Sequence, residues 1–179
     1  MEDGRLAYNF PIEHQTEVVQ LVMEKGREYG LALIGSRALL SLRLEKGYGS
    51  WRREYSPEYS PYESVLDRFV KLDKGEFVGR DWMVDASTQD RKWLLTCFAV
   101  DVDEQDAVGG EPILCDGEVS GIVTSASFGH TIGKSIALGY IPPAKQQSRD
   151  IKIEIIGKAK DAKIVTEPLV DPSGSRMRS

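Results

Sequence analysis

Fifteen residues, "RALLSLRLEKGYGSW" (37–51), bring together two arginines, a glutamate, a lysine and two aromatic side chains. Arginine pairs bidentately with a carboxylate, and its guanidinium plane stacks on an aromatic ring. Tyr48 and Trp51 add flat apolar faces, and Gly47 and Gly49 let the backbone come close to a ligand. This set suits a flat heteroaromatic ligand with an acidic tail. The same residues also allow a purely structural arrangement, in which Arg43 and Glu45 form an internal ion pair and Trp51 covers the core. Elsewhere the usual catalytic signatures are missing. His14 and His130 are the only histidines, and neither HxxxH nor HExxH occurs, so no metal is predicted. Cys97 and Cys115 stand apart without a CxxC, which fits reduced thiols packed as small apolar groups. There is no GxSxG elbow and no GxxxxGK[ST] phosphate loop. "GHTIGKS" (129–135) lacks the required glycine spacing and leads into a strand, so it reads as a β-turn. His14, one turn into a helix, reads as a solvated residue. No catalytic residue is nominated.

The elements that must position these groups follow from the apolar pattern. Residues 11–29 place Val18, Val19, Val22 and Met23 near one face, with Pro11 in the first turn; this predicts a helix stopped at Gly30. "LALI" (31–34) reads as a short buried strand or helix entry. "SRALLSL" (36–42) continues helically with Leu39, Leu40 and Leu42 inward, broken by Gly47 and Gly49. Two Ser-Pro steps make 53–64 an extended connection, of the kind that often carries function. "DRFVKL" (67–72) reads as a strand and 79–87 as a short helix leading into a polar hinge. After Lys92 six β-prone runs follow, at 93–102, 111–116, 118–128, 135–142, 150–157 and 162–169, with turn pairs at Gly109-Gly110 and Asp116-Gly117. Consecutive strands without helices indicate a small antiparallel barrel or sandwich. The expected class is α+β: a helix-containing segment over 1–91, a six-stranded antiparallel β-barrel over 92–172, and a loose tail over 173–179.

Composition narrows the partners. The 179 residues are 41% hydrophobic, enough for a packed core. A net charge of −5 supplies no clustered positive charge for phosphate backbones, which argues against nucleic acid. No apolar run reaches the length of a membrane span, and "MEDGRLAYNF" lacks the pattern of a secretory signal. The chain reads as cytoplasmic, or of the mitochondrial matrix if eukaryotic.

Several motifs in order carry a resemblance. "RALLSLRLEKGYGSW", then "SPYESVLDRFVKLDKGEFVGRD", then "GEVSGIVTSASFGHTIGKSIALGYIP" and the ending "EPLVDPSGSRMRS" resemble the C-terminal half of the glycine-cleavage T-protein (aminomethyltransferase) superfamily. "RALLSLRLEKGY" and "RMRS" are most similar to the folate-binding region of dimethylglycine and sarcosine dehydrogenases. No cysteine follows "EKG", which sets the chain apart from the folate-binding proteins that assist iron-sulfur enzymes. The resemblance implies tetrahydrofolate-dependent one-carbon transfer, with FAD only on a separate or missing domain. It puts Trp51 where the family has a tyrosine near the pterin, and Glu63 on a Pro-x-Glu turn. Arg68 falls at an aromatic position. The family arginine of the first helix aligns with Leu39, leaving Arg37 as its replacement, and a pterin-holding glutamate aligns with Ala7. The resulting folate-binding candidates are Arg37, Tyr48, Trp51, Glu63 and Arg68.

The family's catalytic aspartate lies in a region that this chain does not match, so the resemblance implies a folate-side portion, inactive alone. Its partners would be folate, an N-terminal half or flavoprotein subunit, and another copy of the chain. The competing expectation is a non-catalytic structural or docking module that pairs with a catalytic chain. In either case the first 90 residues should expose apolar surface.

Overall fold

Residues 9–103 and 105–177 are described by a computed structural model. The class is α+β. Strands β1 (Leu94–Val100), β2 (Pro112–Cys115), β3 (Glu118–Gly129), β4 (Lys134–Ile141), β5 (Ile151–Ile155) and β6 (Lys158–Val165) close into an antiparallel barrel in the order β1-β4-β3-β2-β5-β6. Period-two alternation decides which side chains enter it. Phe98, Val100, Ile113, Cys115, Ile151 and Ile153 belong to one buried cluster, while Lys152 and Asp161 meet on the outside at 3.0 Å. Asp116 and Gly117 join β2 to β3 with φ of 53° and 83°, and Ile156 with Gly157 does the same for β5 and β6. Those left-handed pairs match the twist of tight hairpins.

β4 departs from alternation, because every residue after Lys134 is buried. Its second face is covered by helix α2 (Ser36–Glu45): Leu44 packs with Ile136 and Leu138, and Leu40, Leu95 and Leu169 surround them. A strand covered on both faces carries a continuous apolar run, as "SIALGYI" does.

The N-terminal part is helical as the periodicity predicts. Helix α1 (Gln15–Gly26) lies between single 3₁₀ turns at Ile12–His14 and Arg27–Tyr29, and Gly30 ends it at φ 72°. Helix α3 spans Arg80–Thr88. Yet α1 buries none of its residues.

Three expectations are overturned. Residues 67–72 form a 3₁₀ turn at Asp67–Phe69, not a strand. Residues 31–34 are exposed coil, with Leu33 and Ile34 open to solvent. Both misreadings have one cause: a strand needs a pairing partner, and all the strands among the described residues are used in the barrel. In α2 the inward residues are Leu40 and Leu44, whereas Leu39 and Leu42 are half exposed. Positions 40 and 44 lie one turn apart on a single face, which 39 and 42 do not share with them.

Candidate functional site

The end of α2 aims the first candidate. Gly47 N–H donates to Leu44 O at 2.9 Å and Tyr48 N–H to Arg43 O at 2.8 Å, with Gly47 left-handed at φ 69°. This paired 5→2 and 6→1 closure is the Schellman arrangement, which needs a glycine where the chain reverses. It turns Tyr48 back along the helix toward the barrel. Tyr48 is half buried there and lines a cleft of about 230 Å³ with Tyr55, Arg68, Leu95, Cys97 and Val165. Four larger depressions, of about 300 to 420 Å³, contain none of the five nominated residues.

The structure therefore brings two of the five candidates together and separates the rest. Arg68 is exposed, with its guanidinium carbon 4.7 Å from the centroid of the Phe69 ring. Arg37 sits in the first turn of α2, at the opposite end from Tyr48, and is exposed. Trp51 is 74% exposed, so it does not cover the core. Glu63 closes the Ser60-Pro61 turn: its carboxylate accepts from Ser60 N–H at 2.9 Å, Ser60 Oγ at 3.0 Å and Trp93 N–H at 3.2 Å. Its carbonyl also accepts from Leu95 N–H at 2.8 Å, anchoring the start of β1. Ala7 lies outside the described residues.

Beneath the cleft loop is a buried charge that the sequence reading missed. Glu54 is fully buried and pairs with Arg43, Nη1 to Oε2 at 3.3 Å. Arg43 thus pairs with Glu54 and not with Glu45, whose carboxylate accepts from Thr131 N–H at 2.6 Å. Residues two apart on a helix do not face each other, which rules out the nearer partner. Glu54 also accepts from Ser50 N–H and Thr124 Oγ1, each at 2.7 Å, and from Ser125 Oγ. Burial pushes its carboxyl pKa up, but the hydrogen bonds from Ser125, Thr124 and Ser50 and the Arg43 charge outweigh it, so Glu54 stays ionised below its ordinary value. Tyr140 OH donates to Glu54 O at 2.6 Å, and the Tyr59 ring stacks on Tyr140 at 3.6 Å.

The glycines do a different task from the one expected. A Cβ on Gly49 would lie 2.6 Å from Tyr55 Cζ, so Gly49 admits a neighbouring ring of the protein, whose hydroxyl accepts from Gly49 N–H at 3.0 Å. The cleft's far side is closed by the C-terminal segment. Pro168 approaches Gly47, Val170 N–H donates to Glu45 O at 3.1 Å, and Lys46 Nζ donates to the carbonyl and carboxylate of Asp171. Cys97 at the cleft is unreactive in character, since burial pushes its thiol pKa up to about 11. Both cysteines are free. No group of three or more potential metal ligands occurs among the described residues, nor is any helix there long and apolar enough to cross a membrane.

Known proteins match along nearly all of this architecture. The family described as "GCVT N-terminal domain" matches residues 6–74, and "Glycine cleavage T-protein C-terminal barrel domain" matches residues 94–171. The mitochondrial dimethylglycine dehydrogenase of Mus musculus is 34% identical over 170 residues, covering 93% of this chain and 20% of that protein. An aminomethyltransferase of Thermoanaerobacter pseudethanolicus is 32% identical over 167 residues, again covering 93% of this chain but 45% of the relative. This chain therefore spans less than half the length of either. The fold is shared with the crystal structure of glycine cleavage system aminomethyltransferase T from Bartonella henselae, at a TM-score of 0.78 and 22% identity over 91% of this chain and 45% of that one. With both domain families matched in order and the barrel in the place they require, the chain belongs to the glycine-cleavage T-protein superfamily.

Proposed function

We propose that the chain is the folate-side portion of a tetrahydrofolate-dependent one-carbon transfer enzyme, of the aminomethyltransferase or dimethylglycine/sarcosine dehydrogenase kind. The observation that carries this reading is the convergence of Tyr48, Tyr55 and Arg68 on one cleft. Their chemistry fits a reduced folate in kind. Two phenol rings can face a pterin, and Arg68 can pair with a glutamate-tail carboxylate. Glu167, which also lines the cleft, offers an acceptor for pterin N–H groups. When bound, tetrahydrofolate accepts the one-carbon unit. The chain's own part is to bind and orient the folate and keep water from it.

The cleft is too small to be a complete folate site by itself. A cleft of about 230 Å³ falls below the roughly 300–1,000 Å³ of complete small-molecule sites. The residues before Lys92 also leave Leu33, Ile34, Leu39, Leu42, Trp51 and Phe69 exposed. A second wall is supplied by further polypeptide, and any flavin chemistry belongs to another domain.

Calorimetric titration with 5-formyltetrahydrofolate tests the reading. Saturable binding, weakened by Tyr48→Ala and by Arg68→Met but not by Trp82→Ala, is expected. Absence of binding to the folded wild type, or equal binding by the three variants, overturns it.

A further inference from the structure

We infer that Glu54 is a positioning residue that fixes the cleft-forming loop, residues 46–55, against the barrel. The inference rests on the folate reading only for the identity of the ligand.

Glu54 touches nothing in the cleft itself, yet each of its contacts leads there or to the barrel. Through Arg43 it reaches Tyr48, because Arg43 Nη1 donates both to Glu54 Oε2 and, at 2.8 Å, to Tyr48 O. Through Ser50 N–H it holds the residue following Gly49. Its neighbour Tyr55 is another lining residue, bonded back to Gly49 N–H. On the barrel side, Ser125 Oγ accepts from Arg43 Nη2 at 2.7 Å and donates to Glu54 Oε1, so one hydroxyl of β3 joins both charges. Thr124 Oγ1 adds a second bond from the same strand. The loop has no regular secondary structure to hold it, and the carboxylate satisfies backbone and side-chain donors on both sides.

Stability alone does not require such a group. A buried ion pair replaced by apolar side chains of similar volume is often as stable or more so, whereas hydrogen bonds with fixed directions define where their partners sit. Directional bonds on Tyr48 O and Ser50 N–H determine the loop's path in a way that an apolar pair cannot reproduce. The network is therefore read as a device for geometry.

The test compares wild type with Glu54→Gln, Ser125→Ala and the paired Arg43→Met/Glu54→Leu. Two measurements are made: titration with 5-formyltetrahydrofolate and amide hydrogen exchange of residues 46–55 relative to β1–β6. Ser125→Ala alters a barrel residue outside the cleft and keeps the test open if Glu54→Gln fails to fold. The expected result is faster exchange confined to 46–55 in every folded variant, with folate affinity reduced about tenfold or more. The paired apolar variant should recover thermal stability without recovering affinity. Unchanged exchange of 46–55 in folded Ser125→Ala and in the paired variant overturns the inference, as does wild-type affinity in both. If the wild type binds no folate, the folate reading falls alone, and the exchange measurement still decides the role of Glu54.

Discussion

Gly49 shows how little room the cleft loop has. A Cβ there meets the Tyr55 ring at 2.6 Å and Glu54 Cβ at 2.8 Å, whereas one on Gly47 meets only Pro168 at an ordinary 3.7 Å. Gly49→Ala should cost about 1–3 kcal/mol through overpacking. Gly47→Ala should cost about 1–2 kcal/mol through its left-handed backbone alone. Urea unfolding of both variants measures the totals, and folate titration separates the causes: Gly49→Ala displaces Tyr55 and weakens binding more. Equal affinity in the two would refute the packing account. Tyr48 was nominated from the residues themselves, because an aromatic side chain just beyond a glycine at a helix end is visible in a single line of sequence, whereas Arg68 came only from the resemblance, as the residue at an aromatic position of the family. Glu54 was not, since Ser125 lies 71 positions further on and nothing local marks the pair. Arg43 was misassigned to Glu45, although helix spacing alone argues against that pairing.

At the scale of elements, the clasp between α2 and the C-terminal segment makes a prediction about acid. The hydrogen bond from Lys46 holds the Asp171 carboxyl down to about 2 against burial, with further help from Ser175 and the Lys46 charge. A carboxyl depressed in the folded state stabilises it fully above the unfolded value, near 3.8, and loses that contribution as pH falls toward 2. Thermal melts of wild type and Asp171→Asn should therefore differ at pH 6 and converge between about pH 4 and 2. A constant difference across that range would show that the ion pair contributes nothing. The six strands and three helices were readable because alternation, helical periodicity and left-handed turn pairs are local properties. The stretches at 31–34 and 67–72 have apolar residues of the same kind, but a strand is defined by its neighbour, and no neighbour is written into the residues themselves. β6 begins at Lys158, four residues before the apolar run suggests, because its polar start pairs with β5 across a tight turn.

Across the whole molecule, large apolar side chains are distributed unevenly. Of those left exposed among the described residues, only Val108, Val119, Ile122 and Ile156 follow Lys92; the others lie between Phe10 and Trp82. Exposed apolar side chains in such excess drive association when left uncovered. Light scattering should show concentration-dependent self-association of the isolated chain, reduced in Leu33→Ser/Ile34→Ser/Leu42→Gln with the barrel's circular dichroism unchanged. A wild type that stays monomeric at high concentration would count against association through these side chains. The long reach of the α2 contacts has a different consequence, in the order of assembly. Ser41 Oγ donates to Phe128 O across 87 positions, and β1 completes its pairing only with β6. Helix α2 has nowhere to dock until β3 and β4 have been made, and the barrel cannot close before β6 exists. Helix α2 is synthesised before the strands that receive it, so during synthesis its apolar face stays undocked until the chain has grown through β4.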